Sequence, residues 1–345
     1  MATIWDVLAV GAIAFVASAL LTPIARRVAK RLAILDRPGG YKAHPEPTPL
    51  LGGISLTAGF LGGVLWSIHI AGLLELSDLL ALGLGSGIIL VAGLVDDIWG
   101  LSPRNKLAWQ FIAATCAGLV LAILGVRLRL FLGWGPLPLI LLTVLWIIAI
   151  TNAVNFLDNM NGLCAGLGAI AAACLAVYNL RTGELVVAFT AASLGGACLG
   201  FLPFNWPRPR IFLGDAGSMV IGFVLASLSV MGVYTTGAEL PLLAVLAPLF
   251  VLAIPILDAA MVIYLRIRDG HQPWHGDRRH ISHRLVYRGM RPAAAVATLW
   301  AASAACGLAA LLLPTVGVQA APLLVALIGC ALVALFAAAG LRGLP

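Results

Sequence analysis

Long apolar segments alternate with short polar ones along almost the whole chain. Most apolar segments approach the roughly 20 residues of helix that are needed to cross ~30 Å of hydrocarbon. They are continuously hydrophobic and lack the alternating pattern of barrel strands, so they predict helices. Eleven spans are predicted, at residues 2–24, 50–70, 79–95, 106–126, 137–152, 163–180, 185–203, 217–235, 241–265, 293–313 and 320–340.

Composition places this chain outside the range of soluble domains. Of its 345 residues 61% are hydrophobic and only 10% are charged, and the mean hydropathy is +1.05. Soluble domains carry about 25% charged residues. We find no internal repeat and no separate soluble domain. The expected fold is therefore an all-α integral membrane protein, a polytopic bundle of about 11 transmembrane helices that forms a single transmembrane domain over residues 1–345.

The distribution of Lys and Arg predicts the orientation of the bundle. Basic residues are retained on the cytoplasmic side of a membrane. With the N-terminus outside and the C-terminus cytoplasmic, 18 of the 21 basic residues fall in cytoplasmic segments. The first span has its basic cluster after the apolar run, so we interpret it as an anchor and not as a cleaved signal. The predicted cytoplasmic segments are 25–49, 96–106, 152–162, 204–216, 266–292 and the C-terminal tail.

The net charge of +7 follows from these basic loops, so no nucleic acid is needed to explain it. Membrane lipid is the expected surrounding, in the cell (inner or plasma) membrane. The six cysteines are scattered through apolar spans without ligand spacing, and we interpret them as packing residues. The sequence leaves open whether the protein is a monomer or a homodimer.

Carboxylates gather at the predicted cytoplasmic helix ends. Asp96 and Asp97 follow a purely apolar run, and Asp158 and Asp215 lie in or beside short loops on the same side. Ionisable groups at the edge of hydrocarbon are costly and tend to mark function. Several carboxylates on one face call for a cation, and oxygen ligands together with phosphate oxygens suit Mg²⁺.

Three further polar stretches lie on that side. Residues 151–163 contain Asn152, Asn155, Asp158 and Asn159 at three- and four-residue intervals, so a helix gathers them on one face. These amides could coordinate a metal, bind a sugar or bridge helices. Residues 208–223 contain a glycine-rich turn around Asp215, and the helix start that follows could bind phosphate.

The third stretch, residues 266–285, is the longest polar segment of the chain. Its cationic and planar donors suit the oxygens of a pyrophosphate. A loop that only maintains orientation is the simpler alternative. Three histidines within nine residues also raise a zinc site, which the lack of Cys partners disfavours. The donors are Arg278, Arg279, His280, His283 and Arg284.

The chain resembles the polyprenyl-phosphate N-acetylhexosamine-1-phosphate transferases of glycosyltransferase family 4, relatives of phospho-N-acetylmuramoyl-pentapeptide transferase. The eleven-span topology and the DRRH context resemble the N-acetylglucosamine-type branch. Six motifs carry the resemblance, occur in the family's order and cover residues 36–290: YKAHPEPTPLLGGIS, LVDDIWGLSPRNKLAWQ, NAVNFLDNMNGL, FLPFNWPRPRIFLGDAGS, PILD and DRRHISHRL.

The resemblance implies a reaction. A polyprenyl (undecaprenyl) phosphate attacks the β-phosphorus of a UDP-N-acetylhexosamine, releases UMP and leaves a lipid-linked sugar. It also implies Mg²⁺, for which Mn²⁺ could substitute. A phosphate monoester has a second pKa near 6, so the nucleophile is already largely dianionic and positioning dominates catalysis. The active site is expected on the cytoplasmic face.

The resemblance also implies roles for individual residues. Asp215 and Asn155 are expected to hold the metal, with Asp97 nearby. Asp96 is the candidate for orienting or deprotonating the lipid phosphate, and its role differs from that of Asp97 because adjacent helical residues point about 100° apart. Asn152 and Asp158 are expected to order the nucleotide sugar. The residues expected to neutralise phosphate charge are Lys42, Lys106, Arg278, Arg279, His280 and His283.

Two motifs depart from the family's pattern. DGxDGL is DNMNGL here, so Asn159 and Asn161 replace a glycine and a carboxylate, and the tract HIHH is HISH, with Ser282 in the middle. On a helical turn His280 and His283 share a face, and Ser282 points elsewhere. We therefore expect little loss of activity in Ser282→Ala.

Two other functions remain open from the sequence. Transfer of phospho-MurNAc-pentapeptide is the nearer alternative, because it uses the same chemistry on a different sugar. An ion-coupled transporter is the more distant one. Transporters show charges at the membrane midplane and often have inverted repeats, whereas the polar residues here cluster at one face.

Overall fold

The computed structural model describes residues 3–37, 46–71, 76–123, 136–234, 241–272, 278–316 and 320–340. These residues form thirteen α-helices and two short strands. The helices are α1 Ile4–Arg31, α2 Gly52–Ala71, α3 Leu76–Trp99, α4 Pro103–Ile123, α5 Pro136–Phe156, α6 Leu163–Thr182, α7 Leu185–Asn205, α8 Gly214–Met231, α9 Pro241–Val251, α10 Ala253–Arg268, α11 Ile281–Tyr287, α12 Pro292–Leu312 and α13 Ala321–Ala339; the strands are β1 Leu35–Asp36 and β2 Thr48–Pro49.

Eight of the described helices are long and apolar enough to cross a membrane: α1, α3, α5, α6, α7, α8, α12 and α13. Many large apolar side chains on α1, α5 and α13 are exposed. Exposed apolar side chains on such helices are expected to face lipid, because water disfavours them. The helices can lie in lipid since each one pairs its own backbone polar groups. The chain is therefore an all-α, multi-pass membrane protein.

The predicted apolar segments 50–70 and 106–126 correspond to α2 and α4. The predicted span 241–265 is instead two helices that meet at Leu252. Leu252 adopts φ −103° and ψ 16°, and Pro255 follows in the first turn of α10. Proline has no N–H and its ring clashes with the carbonyl four residues earlier, so the helix is interrupted here. Hydropathy alone did not predict this break.

Helix α8 is the centre of the bundle. All but one of its residues are buried, and it packs against α2, α3 and α5. Helix α13 is peripheral, since only its first and last residues are buried. The central position of α8 matters for the site because its first turn carries Asp215.

Connections between helices meet at one end of the bundle, which we call the polar end; its described residues are 32–37, 46–51, 100–102, 157–162, 206–213, 269–272 and 278–291. Strands β1 and β2 pair antiparallel here. Hydrogen bonds join segments that are distant in sequence. The Gly52 N–H donates to the Phe212 carbonyl at 3.1 Å, and Arg26 Nε donates to the Arg210 carbonyl at 3.0 Å. Most residues predicted as functional lie at this end.

Candidate active site

Asp97, near the end of α3, accepts two backbone hydrogen bonds from the first turn of α8. Its Oδ1 accepts the Asp215 N–H at 2.8 Å and its Oδ2 accepts the Ala216 N–H at 3.1 Å. First-turn amides lack partners within their own helix, and a carboxylate is favoured there. A Cβ on Gly93 would lie 2.4 Å from the Ala216 Cα, so glycine permits this close approach. Asp97 therefore joins α3 to α8.

Asp96 points in a different direction from Asp97, as the helical spacing predicts. Its Oδ1 accepts the Leu101 N–H at 2.6 Å just beyond the end of α3, which leaves Oδ2 to face α4. Both oxygens of Asp97 are bonded to backbone amides, although the sequence predicts this side chain near a metal. In this structure Asp97 holds the backbone of Asp215. Asp96 is the one of the two adjacent aspartates that shares the Lys106 ammonium with the Asp215 side chain.

Lys106 lies between two carboxylates. Its Nζ is 3.0 Å from Asp96 Oδ2 and 2.9 Å from Asp215 Oδ1. All three side chains are partly buried, so their charges are screened less than on an open surface. The sequence predicts that Lys106 neutralises substrate phosphate, and here the ammonium neutralises the carboxylates. We call Asp96, Asp97, Lys106, Asn155 and Asp215 the carboxylate cluster.

Asn155, in the last turn of α5, completes this cluster. Its Nδ2 donates to Asp215 Oδ1 and also to Ser218 Oγ at 2.8 Å. The Ser218 hydroxyl in turn donates to the Gly214 carbonyl at 3.0 Å. The structure thus brings together Asn155 and Asp215, the two residues that the resemblance implies as metal ligands.

The donor set of the cluster fits a hard divalent cation. Asp96 and Asp215 already direct oxygens at one cationic group, the Lys106 ammonium. Within the described part of the chain, no three His, Cys, Asp or Glu side chains form a group that could hold a metal by themselves. Mg²⁺ in proteins is usually bound by one or two carboxylates plus substrate phosphates. The cluster is therefore suited to a metal ion that takes its remaining ligands from a bound phosphate.

Asn152, one turn before Asn155, bridges helices. Its Nδ2 donates to Gln110 Oε1 at 2.5 Å and to the Ile148 carbonyl at 2.8 Å, and the Gln110 amide returns a hydrogen bond at 3.3 Å. An amide pair of this kind joins two helices inside a membrane protein. The structure therefore gives Asn152 a bridging contact, where the sequence predicts a contact to the nucleotide sugar.

Asp158 lies in the loop after α5 and is half-buried. Burial raises the pKa of its carboxyl well above the ordinary value, and the negative charges of Asp215 and Asp97 add to the shift. Lys106 and the Gly214 backbone N–H oppose it. Asp158 therefore lies within range of the charges of the carboxylate cluster, and its predicted role toward the nucleotide sugar stays a prediction.

His280 belongs to a second group of polar residues, on α10 and α11. It is buried, and its Nδ1 lies 2.7 Å from Asp258 Oδ2. Asp258 Oδ1 accepts the Ile281 N–H at 2.8 Å. The His283 ring centroid is 6.5 Å from that of His280. The two histidines are therefore neighbours, as their spacing predicts, although His280 precedes α11 and caps it.

Asp258 is the residue that the sequence did not assign to the site. It is fully buried and makes two contacts at the start of α11, to the His280 ring and to the Ile281 N–H. A signal was present, because Asp258 is the lone carboxylate of an apolar segment, and buried charges need partners. Its partners are 22 and 23 residues away in the chain, so spacing could not identify them.

The second group lies beside the first. The Phe156 ring packs edge-on against the His280 ring with centroids 6.2 Å apart, and the Arg266 guanidinium lies 5.3 Å from the Phe156 centroid. Phe156 directly follows Asn155 of the carboxylate cluster. The end of α5 therefore contacts both groups.

Arg279 is engaged with α10 and the residue that follows it. Its Nη1 donates to the Leu265 carbonyl at 2.9 Å and to Asp269 Oδ2 at 2.7 Å. Arg268 also pairs with Asp269, and these two arginines lower the pKa of that carboxyl, with Arg268 having the larger effect. The predicted role of Arg279 at phosphate thus competes with this pairing. Arg278 is exposed, and Lys42 lies outside the described residues.

Comparison with known proteins gives consistent relatives. The sequence profile described as glycosyl transferase family 4 matches residues 79–233. A Bacillus subtilis protein named "Probable undecaprenyl-phosphate N-acetylglucosaminyl 1-phosphate transferase" is 34% identical over 288 residues, covering 81% of this chain and 78% of the relative. A Mycolicibacterium smegmatis decaprenyl-phosphate N-acetylglucosaminephosphotransferase is 34% identical over 331 residues, covering 87% and 80%.

A third relative extends the comparison. The Escherichia coli undecaprenyl-phosphate alpha-N-acetylglucosaminyl 1-phosphate transferase is 30% identical over 321 residues, covering 89% of this chain and 82% of that protein. The profile match contains the whole carboxylate cluster. Identity of this extent over most of both chains shows that the protein belongs to glycosyl transferase family 4.

Proposed function

We propose that the protein transfers N-acetylglucosamine 1-phosphate from UDP-N-acetylglucosamine to a polyprenyl phosphate and releases UMP. The observation that carries this proposal is the carboxylate cluster at the polar end of an apolar bundle, within the segment that matches the family. Relatives named for this transfer align over most of the chain. Such a site would admit a lipid phosphate from the membrane and a nucleotide sugar from water.

The reaction exchanges one phosphoanhydride for another. An oxygen of the polyprenyl phosphate forms a bond to the β-phosphorus of the UDP-sugar, and the bond from that phosphorus to the bridging oxygen breaks, so UMP leaves with the electron pair. The nucleophile is already largely dianionic at neutral pH. The protein therefore has to bring two anions together, and the cationic groups near the site oppose their repulsion.

The residues of the cluster and its neighbours have different proposed roles. Asp97 holds the first turn of α8, which fixes the Asp215 backbone. Lys106 is the cation between Asp96 and Asp215, and it would turn toward phosphate when substrate enters. Asp96 would orient the lipid phosphate, or take its remaining proton. Asp158, His280 and His283 would order the donor and its pyrophosphate.

Magnesium is part of this proposal, with manganese as a substitute. The residues to hold it are Asp215 and Asn155, with Asp96 as the second carboxylate, since Asp97 is occupied by backbone amides. The amide oxygen of Asn155 is the atom that suits a hard cation. A bound magnesium ion would neutralise charge on the pyrophosphate during transfer.

We place the polar end on the cytoplasmic face of the plasma membrane. The support is the asymmetry of the basic residues, 18 of 21 of which fall on that side when the N-terminus is outside. This orientation requires an odd number of crossings, and we propose eleven. Nucleotide sugars are cytosolic metabolites, so the donor would reach the site from that side.

Cysteine labelling tests the orientation. Trp99 is 74% exposed at the polar end, whereas Glu184 lies between α6 and α7 at the opposite end. We expect a membrane-impermeant maleimide to label Trp99→Cys only in inside-out vesicles and Glu184→Cys only in right-side-out vesicles. The parent protein measures background from the native cysteines. The reverse pattern would contradict the topology.

A donor panel tests the activity. Purified protein with Mg²⁺ and undecaprenyl phosphate is expected to release UMP from UDP-N-acetylglucosamine and to form a lipid-linked sugar. UDP-MurNAc-pentapeptide is expected to give only background release, since the three relatives described above are named for the smaller sugar. Reactions without lipid phosphate are the control for hydrolysis. Turnover of the pentapeptide donor alone would replace the proposed substrate.

A further inference from the structure

A partly buried hydrogen bond joins the loop after α5 to helix α11. The Ser282 hydroxyl donates to Asn159 Oδ1 at 2.7 Å across 123 residues of sequence. Ser282 is fully buried and Asn159 is half-buried, so the serine hydroxyl has little access to water in place of this partner. The amide of Asn159 is itself held, because its Nδ2 donates to the Phe156 carbonyl at 2.7 Å. The bond therefore connects two ordered segments.

The two residues of this bond are also two of the positions at which the sequence departs from the family's pattern. A glycine at 159 would offer no side-chain acceptor, and Ser282 would then be a buried hydroxyl without this partner. The bond consequently requires both residues in the same protein. Two departures that meet in space at 2.7 Å suggest a pair that works together.

The segments that the pair joins lie beside the two polar groups of the candidate site. Asn159 follows Asp158, whose carboxyl faces the charges of Asp215 and Asp97. Ser282 lies between His280 and His283 in sequence and within α11. A change in this bond would therefore alter the position of the Asp158 loop relative to the histidines.

We propose that the Asn159–Ser282 hydrogen bond is a positioning interaction that sets the spacing between the Asp158 loop and the histidine segment for phosphosugar transfer. This role rests on the proposed function. Neither residue has to touch substrate for it. Small misplacements of reacting groups cost rate more than they cost binding, and about 1 Å can cost as much as 10²-fold.

This proposal revises the expectation for Ser282→Ala. The helical spacing correctly turns Ser282 away from the histidine face, but its hydroxyl has a buried partner instead of no role. Removing the serine hydroxyl deprives the half-buried Asn159 carbonyl of this donor, and the loop after α5 loses its hydrogen bond to α11. We therefore expect a measurable loss of rate.

A double-mutant cycle tests the pair. Wild type, Asn159→Ala, Ser282→Ala and the double variant are compared for UMP release from UDP-N-acetylglucosamine. Each single variant is expected to lose about tenfold in kcat with KM changed less than about twofold, because position and not affinity is altered. The double variant is expected to lose no more than either single, since contacting residues are coupled.

Two further variants separate positioning from general damage. Ser282→Thr keeps the hydroxyl and is expected to recover most of the rate lost in Ser282→Ala. Ser227, another fully buried serine, has no hydrogen-bond partner for its Oγ within the described residues, so Ser227→Ala is the matched control and is expected to keep wild-type kcat. Melting temperatures of all variants in detergent are measured alongside.

The outcomes decide the proposal. Losses that multiply in the double variant, or a Ser282→Ala rate equal to that of Ser227→Ala, would overturn the pair while leaving the transfer reaction in place. A wild-type protein that releases no UMP would overturn the proposed function and the positioning role with it. Non-additive loss with rescue by threonine would support the pair.

Discussion

Asp215→Asn is expected to lower kcat for UMP release by at least 10³-fold, to an order of magnitude, while the purified protein keeps its fold. Asp215 Oδ1 receives both the Lys106 ammonium at 2.9 Å and the Asn155 amide. An amide of the same shape preserves packing but removes the negative charge. Without that charge the site loses its proposed metal ligand and one of the two carboxylate partners of Lys106.

The experiment measures kcat, melting temperature and metal dependence together. The Asp215 backbone N–H still reaches Asp97 in the variant, so the first turn of α8 is expected to remain in place. Glu184→Gln is the matched control, because it removes one carboxylate at the opposite end of the bundle and is expected to keep full activity. Turnover by wild type in EDTA, or a variant with more than a tenth of the wild-type rate, would contradict the metal-ligand role.

Hydropathy predicted the helices well because a membrane constrains helix length and composition so strongly. It underestimated α5, which was predicted to end at residue 152 and continues to Phe156. The last turn is polar, yet Asn152 and Asn155 find partners on α4 and α8 and so tolerate burial. The break at Leu252 was missed for the opposite reason, since the sequence there stays apolar on both sides of it.

Residue spacing in the sequence predicts some features of the candidate site, and others depend on tertiary contacts. Spacing predicted that Asp96 and Asp97 make different contacts, because two adjacent helical residues cannot point the same way. It could not show that Asp97 caps α8 through the amides of Asp215 and Ala216, which lie 118 and 119 residues later in the chain. Partners at such separations depend on how the bundle packs, and a single sequence does not encode them in a local pattern.

The contact between Arg279 and Asp269 illustrates the same limit. A cationic loop beside a phosphate site is a reasonable prediction from sequence, and Arg279 has the right chemistry. The structure shows that a carboxylate ten residues earlier takes one of its donors. Surface ion pairs of this kind are weak, so an incoming pyrophosphate could displace this partner.

Asp258→Asn is expected to lower kcat on the order of 10² to 10³-fold with little change in melting temperature. The Ile281 N–H requires an acceptor, so the amide oxygen of the introduced asparagine would face it. The amide nitrogen would then face His280 Nδ1, where it can only donate. The ring would then carry its proton on Nε2 and lose its ion pair with Asp258, so it would be a neutral and weaker donor to the pyrophosphate.

His280→Ala and His283→Ala are expected to lose activity on the same scale, as the cost of one lost donor to the transition state. If Asp258 acts through His280, then the double variant Asp258→Asn with His280→Ala loses no more than His280→Ala alone. Asp6→Asn is the control, because Asp6 also accepts a backbone N–H at a helix start, from Thr3 at 2.7 Å, far from the site. It is expected to keep wild-type kcat.

The melting temperature shows whether Asp258 acts on the His280 ring or only stabilises the start of α11. Asp258→Leu removes both acceptors, leaves the Ile281 N–H and His280 Nδ1 without them, and is expected to lose stability as well as activity. Asp258→Asn keeps one acceptor and one polar contact and is expected to lose activity alone. Equal loss of stability in both variants, or losses that multiply with His280→Ala, would mean that Asp258 serves the folding of α11 and not the histidine.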